Sequence, residues 1–268
     1  MNKINNFEKN KRLGQHFLND RNILKKILNL HKNLTLGTVI EIGPGLGSLT
    51  KEILNRDAKL ITIEKDTRLK EPLLNLKELW PNNLEIIFGD ALKIEIHNLG
   101  NKPRRIIANL PYNIGTELLV QCLEKPKFFS SITVMLQKEV AERITANPGS
   151  KNYGRLSVLS GWHWDSELAF TVKAKSFNPP PKVDSAVLNL VPKDKPILPI
   201  NVNTLSKITH ALFSNRRKML RSGLKKLGDP DMIASETGID IAKRPQELTI
   251  KEFCIIALLL EKNIDKFT

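Results

Sequence analysis

The sequence lacks a hydrophobic run that could cross a bilayer, and it is poor in the residues that bind metals. Its longest apolar run, residues 253–260, is far shorter than the ~20 residues that a transmembrane helix needs. Its two cysteines, Cys122 and Cys254, each lie in an apolar stretch, and its five histidines are scattered without metal-ligand spacing. We therefore expect no membrane span, no disulfide framework and no metal site, and we expect a reducing, cytoplasmic location.

Acidic residues are fewer than basic ones. The 268 residues include 42 Lys and Arg but only 28 Asp and Glu, which gives a formal net charge of +14. A positive field of that size favours a polyanionic partner, either a nucleic acid or an anionic membrane surface. With 41% hydrophobic residues the chain has an ordinary globular composition, which excludes a disordered or collagen-like protein.

Strand-like and helix-like segments alternate along most of the chain. The predicted strands are residues 38–42, 59–64, 84–88, 105–108 and 131–136, and the helices between them are residues 46–56, 67–79, 116–124 and 138–145. This alternation is typical of βαβ units, so we predict an α/β fold with a parallel sheet and helices on both faces. Two later strand candidates, residues 167–172 and 184–191, could close the sheet.

A proline-rich stretch, residues 192–199, marks a change in composition. Every periodic segment beyond it has the pattern of a helix: residues 202–213, 215–227, 229–237 and 249–262. We therefore predict two domains, an α/β domain over residues 1–192 and a small all-helical domain over residues 193–268.

Three alternating glycines, Gly43, Gly45 and Gly47, follow the first predicted strand and precede a helix. Glycine permits a tight turn and lets the backbone approach a ligand at the carboxyl end of the strand. A dinucleotide site would need a further glycine where this chain has Ser48. The G-x-G-x-G spacing instead indicates an S-adenosylmethionine site in a Rossmann-like methyltransferase sheet.

Two carboxylates follow the next two strands. Glu64 ends the second strand, 21 residues after Gly43, where it can accept hydrogen bonds from both ribose hydroxyls. Asp90 follows the third strand, where it can accept a hydrogen bond from the adenine amino group. Each residue alone could be a solvated carboxylate at a strand end, but together with the glycine turn they predict a nucleoside site.

The tetrapeptide Asn109-Leu110-Pro111-Tyr112 directly follows the fourth strand. It suits a planar exocyclic amine, which is a poor nucleophile because its lone pair is delocalised into the ring. The side-chain oxygen of Asn109 and the backbone carbonyl of Leu110 can hold the two N–H groups, and Tyr112 offers a face for stacking the base. The alternative interpretation is purely structural: the tetrapeptide is a Pro-Tyr turn that only ends a strand.

These motifs resemble the ribosomal RNA adenine N6,N6-dimethyltransferases, specifically the small-subunit type that acts on 16S rRNA. The likeness spans about residues 10 to 262. Five segments carry it: GQHFLND at 14–20, EIGPGLG at 41–47, NLPYNI at 109–114, FNPPPKVDS at 177–185 and NRRKMLRSGL at 215–224.

The resemblance implies roles for individual residues. The cofactor-binding residues that it implies are His16, Leu18, Gly43, Glu64, Asp90 and Asn109. Many members have Asn where this chain has His16, so a backbone contact is implied there. The catalytic residues that it implies are Asn109, Leu110, Tyr112 and Phe177. The ring of Phe177 would pack on the flipped base opposite Tyr112, unless Phe177 is simply a core residue before a proline-rich loop.

The family reaction moves two methyl groups onto each of two adjacent adenines near the 3′ end of 16S rRNA in the small ribosomal subunit. The resemblance therefore implies S-adenosylmethionine as cofactor, an RNA partner and a role in ribosome biogenesis, and we expect a monomer.

The predicted helix over residues 215–227 fits RNA binding, because Arg217, Arg221 and Lys225 fall on one helical stripe. Lys11 and Arg12 in the basic amino-terminal arm could add phosphate contacts.

Two other functions stay open at this stage. One is the related antibiotic-resistance enzyme, which methylates an adenine in large-subunit rRNA. The other is a non-catalytic RNA-binding factor on the same fold, which would not need to keep Gly43, Glu64, Asp90 and Asn109. An NAD enzyme is disfavoured by Ser48, and a small-molecule methyltransferase would not need a net charge of +14.

Overall fold

The structure is a computed structural model, which describes residues 16–18 and 20–262. Lys11 and Arg12 lie outside these residues. The strands are β1 Phe17–Leu18, β2 Thr38–Ile42, β3 Leu60–Glu64, β4 Leu84–Phe88, β5 Arg104–Asn109, β6 Ser131–Gln137, β7 Trp164–Val172, β8 Phe177–Asn178 and β9 Ser185–Pro192. The helices are α1 Arg21–Leu28, α2 Ser48–Leu54, α3 Lys70–Leu79, α4 Gly115–Leu123, α5 Lys138–Ile144, α6 Arg155–His163, α7 Val202–Phe213, α8 Leu220–Leu224, α9 Pro230–Thr237 and α10 Ile250–Lys262. None of the helices in the described residues is long and apolar enough to span a membrane.

A seven-stranded sheet in the order β4-β3-β2-β5-β6-β9-β7 forms the centre of the fold. The pairs β4–β3, β3–β2, β2–β5 and β5–β6 are parallel, as the alternation of strands and helices predicts. Strands β2 and β3 are buried along their whole length, which explains why Ile, Leu and Val supply three of the five residues in each. Parallel pairing brings the carboxyl ends of β2, β3, β4 and β5 to one edge, where the predicted site residues lie.

A second, two-stranded sheet was not predicted. In it, β1 pairs antiparallel with β8, so that Phe17 lies opposite Asn178 and Leu18 opposite Phe177. Both strands have only two residues, which is too short to give a periodic pattern in the sequence. Their pairing joins parts of the chain about 160 residues apart, so only the tertiary structure reveals it.

The chain forms two compact units, but the boundary is not the single one predicted at residue 192. The first unit comprises the chain up to Lys138 together with Leu168–Asn189, and the second comprises Glu139–Glu167 together with the chain from Leu190 onward. Helix α6 belongs to the second unit because it packs against α7 and α10. This grouping differs from the prediction for residues 139–167, which the prediction places in the α/β domain and the contacts place in the second unit.

The predicted helix over residues 215–227 is also wrong in extent. Only α8, Leu220–Leu224, is helical there, and the residues on either side form turns. The backbone N–H of Leu220 donates to the carbonyl of Lys243, and that of Arg221 donates to Ile241. These hydrogen bonds to a distant segment replace the intrahelical bonds that a continuous helix would need.

Candidate active site

The glycine turn after β2 has backbone angles that favour glycine at all three positions. The φ angles of Gly43, Gly45 and Gly47 are 68°, 58° and 79°. At Gly45 a Cβ would lie 2.7 Å from Cε1 of Phe17, so a side chain would displace that ring. The turn thus combines a left-handed backbone with a close approach of β1, which explains the glycine there physically.

Glu64 ends β3 and is held by the backbone of the turn. Its Oε2 accepts a hydrogen bond from the N–H of Gly45 at 3.2 Å, and its Oε1 accepts one from Asp66 at 2.8 Å. Burial raises the pKa of the Glu64 carboxyl, while these backbone N–H groups act in the opposite direction. The carboxylate is thereby fixed in orientation, and each oxygen keeps capacity to accept a ligand hydroxyl.

Asp90 follows β4 and carries a basic partner that the sequence analysis missed. The Lys65 ammonium lies 2.8 Å from its Oδ2, and the N–H of Leu92 donates to its Oδ1 at 3.1 Å. The hydrogen bond from Lys65 is the main reason why the pKa of Asp90 is lowered, so the group is ionised at neutral pH. Lys65 directly follows Glu64 at the end of β3. This position next to a predicted site residue is the sequence feature that could have predicted its contact with Asp90.

Asn109 is the last residue of β5 and is oriented by the amino-terminal strand. Its Nδ2 donates a hydrogen bond of 3.1 Å to the backbone carbonyl of His16. The next residue, Leu110, donates its N–H to the carbonyl of Met135 on β6. These contacts hold the end of β5 in register with β1 and β6, and the His16 contact is made by the backbone.

Tyr112 is half-buried and is held at both its ring and its hydroxyl group. The ring centroid lies 5.4 Å from that of His16. The hydroxyl shares a hydrogen bond of 2.5 Å with Oγ of Ser185, the first residue of β9. Burial raises the pKa of the Tyr112 phenol, so it is protonated at neutral pH.

One cavity joins these groups at the carboxyl edge of the sheet. Eight of the predicted site residues line it: His16, Leu18, Gly43, Glu64, Asp90, Asn109, Leu110 and Tyr112. The end of β5 therefore opens into the same space as the glycine turn, which is the arrangement that the motifs predicted.

Phe177 is the exception among the predicted catalytic residues. Its side chain is only 4% exposed and belongs to the hydrophobic core with Leu18 and Val187. It does not line the cavity, because β8 turns the ring inward when it pairs with β1. In this structure Phe177 therefore packs as a core residue, and nothing in the described residues places its ring beside the cavity.

A buried acid in the cavity wall was also missed. Glu41 lies in β2 and is 2% exposed, and its Oε2 accepts a hydrogen bond of 2.7 Å from the Thr50 hydroxyl. Burial raises the pKa of Glu41 to about 8, and the nearby Glu64 adds to this shift. The signal was a charged residue inside a buried apolar strand, directly before the glycine turn.

Comparisons with known proteins bear on this site. The ribosomal RNA adenine dimethylase family matches residues 6–262 of the sequence. The chain belongs to this family. Ribosomal RNA small subunit methyltransferase A of Rhizobium johnstonii is 48% identical over 252 residues, which cover 92% of this chain and 91% of that protein. The protein of the same name from Rhodospirillum rubrum is 43% identical over 246 residues, covering 91% and 85% respectively.

Two solved structures share the fold of this family member. A dimethyladenosine transferase from Plasmodium falciparum superposes with a TM-score of 0.78 at 30% identity, covering 92% of this chain and 98% of that one. The 23S rRNA methyltransferase ErmE superposes with a TM-score of 0.69 at 23% identity, covering 91% and 99%. The second likeness shows a shared fold alone.

The chemistry of the cavity fits the cofactor of a methyltransferase. The carboxyl groups of Glu64 and Asp90 line it, together with that of Glu41, which keeps its proton at neutral pH because burial raises its pKa to about 8. Carboxyl groups suit S-adenosylmethionine, because its ribose hydroxyls and adenine amino group donate hydrogen bonds and its sulfonium and ammonium are cationic. The cavity also has apolar walls, including Leu18 and Ile63, which suit the adenine ring.

The basic residues predicted to bind RNA lie in the second unit. Arg217, Arg221 and Lys225 are exposed, but they do not form the single helical stripe that was predicted. Arg217 lies in a turn before α8, Arg221 lies within α8, and Lys225 caps its carboxyl end. Arg221 makes a two-point ion pair with Asp231, with distances of 2.8 and 2.6 Å.

Proposed function

We propose that this protein uses S-adenosylmethionine to dimethylate the N6 amino groups of two adjacent adenines near the 3′ end of 16S rRNA in the small ribosomal subunit. The observation that carries this proposal is that Asn109 and Leu110, at the end of β5, line the same cavity as the glycine turn. A methyl donor and an adenine amine can therefore meet there. Family membership and the relatives named small subunit methyltransferase A support the choice of substrate.

In this proposal the first strands of the sheet hold the cofactor. Glu64 accepts hydrogen bonds from the ribose hydroxyls, Asp90 accepts one from the adenine amino group, and Gly43 allows the methionine portion to approach the backbone. His16 and Leu18 line the opposite wall. When bound, the cofactor supplies a methyl group activated by its sulfonium.

Asn109 and Leu110 then prepare the target amine. One N–H of the Asn109 amide is donated to the carbonyl of His16, which orients the amide and leaves Oδ1 to accept a hydrogen bond from the amine. The Leu110 carbonyl accepts from the second N–H. Held in this way, the nitrogen becomes more pyramidal and its lone pair points toward the methyl donor, so catalysis rests on alignment. The proton of the methylated, cationic nitrogen passes to water.

Tyr112 supplies the stacking face for the extruded base, and Phe177 keeps a packing role. Because adenine must react twice, the pocket must accept N6-methyladenine, in which a single N–H remains to be held.

The protein acts as a monomer in this proposal. Arg217 and Lys225 contact rRNA phosphates, with a smaller contribution from Arg221, whose charge is paired with Asp231. Lys11 and Arg12, outside the described residues, add further phosphate contacts.

The test is transfer of labelled methyl groups from S-adenosylmethionine to small ribosomal subunits that lack the modification, followed by mapping of the modified nucleotides. We expect label in two adjacent adenines of 16S rRNA, in a ratio of two methyl groups to each adenine. Large subunits and naked DNA are the controls. Labelling of large subunits in place of small ones would favour an activity like that named for ErmE, and labelling of nothing would favour a binding factor.

A further inference from the structure

We propose that Ser185 is a positioning residue for the target base, because its hydroxyl fixes the ring of Tyr112 at the mouth of the cavity. This inference rests on the proposed function. It concerns a residue outside the catalytic and cofactor-binding sets named above, and it gives a role to the end of the segment 177–185.

The contact itself is specific. The Tyr112 hydroxyl and Oγ of Ser185 are 2.5 Å apart, and Ser185 is fully buried at the first position of β9. Tyr112 lies in the turn after β5, whereas Ser185 begins β9, an internal strand of the sheet between β6 and β7. A hydrogen bond to this strand therefore restricts the hydroxyl end of the ring, in addition to the contact that its face makes with His16.

The backbone around Ser185 is itself tied down. The carbonyl of Asp184 accepts a hydrogen bond of 3.0 Å from the N–H of Lys138, the first residue of α5. The carboxylate of Asp184 accepts from the N–H of Ala174 at 3.0 Å and from the Lys173 ammonium at 2.9 Å. These bonds fix the start of β9 from two sides, so Ser185 has little freedom to follow Tyr112 if the ring moves.

The same segment also restrains the other side of the ring. The backbone carbonyl of Pro179 forms a hydrogen bond of 2.8 Å with Nδ1 of His16, and the His16 ring lies against Tyr112. His16 in turn accepts the bond from Asn109 through its carbonyl. Residues 177–185 therefore restrain Tyr112 through Ser185 and restrain its neighbour through Pro179. Correct placement of the stacked base relative to Asn109 depends on both restraints.

The experiment is a double-mutant cycle of Ser185→Ala and Tyr112→Phe, measured as the single-turnover rate of methyl transfer to unmodified small subunits. Each single variant should lower the rate about tenfold, since an ångström-scale misplacement of a reacting group is costly, while cofactor affinity stays the same. The double variant should be no slower than either single variant, because both remove the same hydrogen bond. Ser185→Thr, which keeps the hydroxyl, should restore most of the rate.

Ser131→Ala is the matched control, because Ser131 is also a buried serine at the start of a strand, and its hydroxyl has no hydrogen-bond partner in the part of the chain that the structure describes. It should keep the wild-type rate. A second readout is independent of RNA: the chain has two tyrosines, so isotope-labelled tyrosine gives two ring signals by NMR, and Tyr112→Phe assigns them. Ser185→Ala should shift the Tyr112 signal, and Ser131→Ala should not.

The inference would be overturned if the rate of the double variant fell by the product of the two single-variant reductions, or if Ser185→Ala kept the full rate. An unshifted Tyr112 signal in Ser185→Ala would do the same. Failure of the proposed function looks different, because the wild-type protein itself would then transfer no methyl groups to small subunits.

Discussion

The side-chain amide of Asn109 donates its hydrogen bond to the backbone carbonyl of His16, 93 residues earlier in the chain. This bond makes the end of β5 dependent on the segment that precedes β1, which also lines the cavity. Because the acceptor belongs to the backbone, this contact does not depend on the imidazole of His16.

Replacement of Asn109 should separate catalysis from cofactor binding. Asn109→Ala removes the acceptor for the target amine, and we expect methyl transfer to fall on the order of 100-fold or more, as for loss of one preorganised polar group. Cofactor binding, measured by calorimetry, should remain measurable. Asn109→Asp keeps acceptor oxygens but places one against the His16 carbonyl, so its rate should lie between those of wild type and Asn109→Ala. A wild-type rate in Asn109→Ala would remove Asn109 from the mechanism.

The glycine turn predicts a difference between two alanine variants. Gly45→Ala and Gly238→Ala both place alanine at a positive φ, 58° and 68°, with a strain cost of about 1–3 kcal/mol. Only at Gly45 would the new Cβ meet Phe17, whereas nothing lies within 4 Å at Gly238. Both variants should therefore lose stability in urea unfolding, but only Gly45→Ala should also lose cofactor affinity. Equal affinities would show that the Phe17 contact is unimportant.

The buried acid Glu41 predicts a pH-dependent stability. Its pKa is raised from 4.5 to about 8 by burial, so the folded protein keeps a proton that the unfolded chain loses. Between pH 4.5 and about 8, rising pH therefore lowers the free energy of unfolding by up to about 1.4 kcal/mol per pH unit. Above about pH 8 the effect levels off.

Glu41→Gln removes this titration and keeps the shape of the side chain. Relative to that variant, the free energy of unfolding of the wild type should fall as the pH rises from 5 toward about 8. Urea unfolding of both apo proteins at several pH values measures the difference. A difference that stays constant over this range would mean that Glu41 is ionised in the folded protein.

The ion pair of Arg221 predicts unequal contributions to RNA binding. Arg217 is exposed and has no ion pair within the described residues, while the charge of Arg221 is already paired with Asp231. Arg217→Ala should weaken binding to small subunits and lower the slope of log K against log salt by about 1. Arg221→Ala should lower that slope by less. Equal slopes for both variants would contradict the hypothesis that pairing with Asp231 reduces the contribution of Arg221 to RNA binding.

Much of the site could be predicted from the sequence because its residues are placed by local patterns. Strands ending at Ile42, Glu64, Phe88 and Asn109 are recognisable from short apolar runs, and parallel pairing then forces their carboxyl ends to one edge. The glycine turn, Glu64, Asp90 and Asn109 follow directly from that rule. The predicted strand boundaries agree with the structure to within one residue for these elements.

Other features depend on contacts between distant segments, which no local pattern records. The pairing of β1 with β8 decided that Phe177 is buried, and hydrogen bonds to Ile241 and Lys243 interrupted the helix predicted over residues 215–227. The packing of α6 against α7 and α10 decided which unit it joins. The sequence by itself determined the parallel sheet and the set of groups at its edge, because strand periodicity and chain order are local properties. Only the tertiary structure decided how those groups are oriented, through His16 and Ser185, because a hydrogen bond between distant residues exists only after the chain has folded.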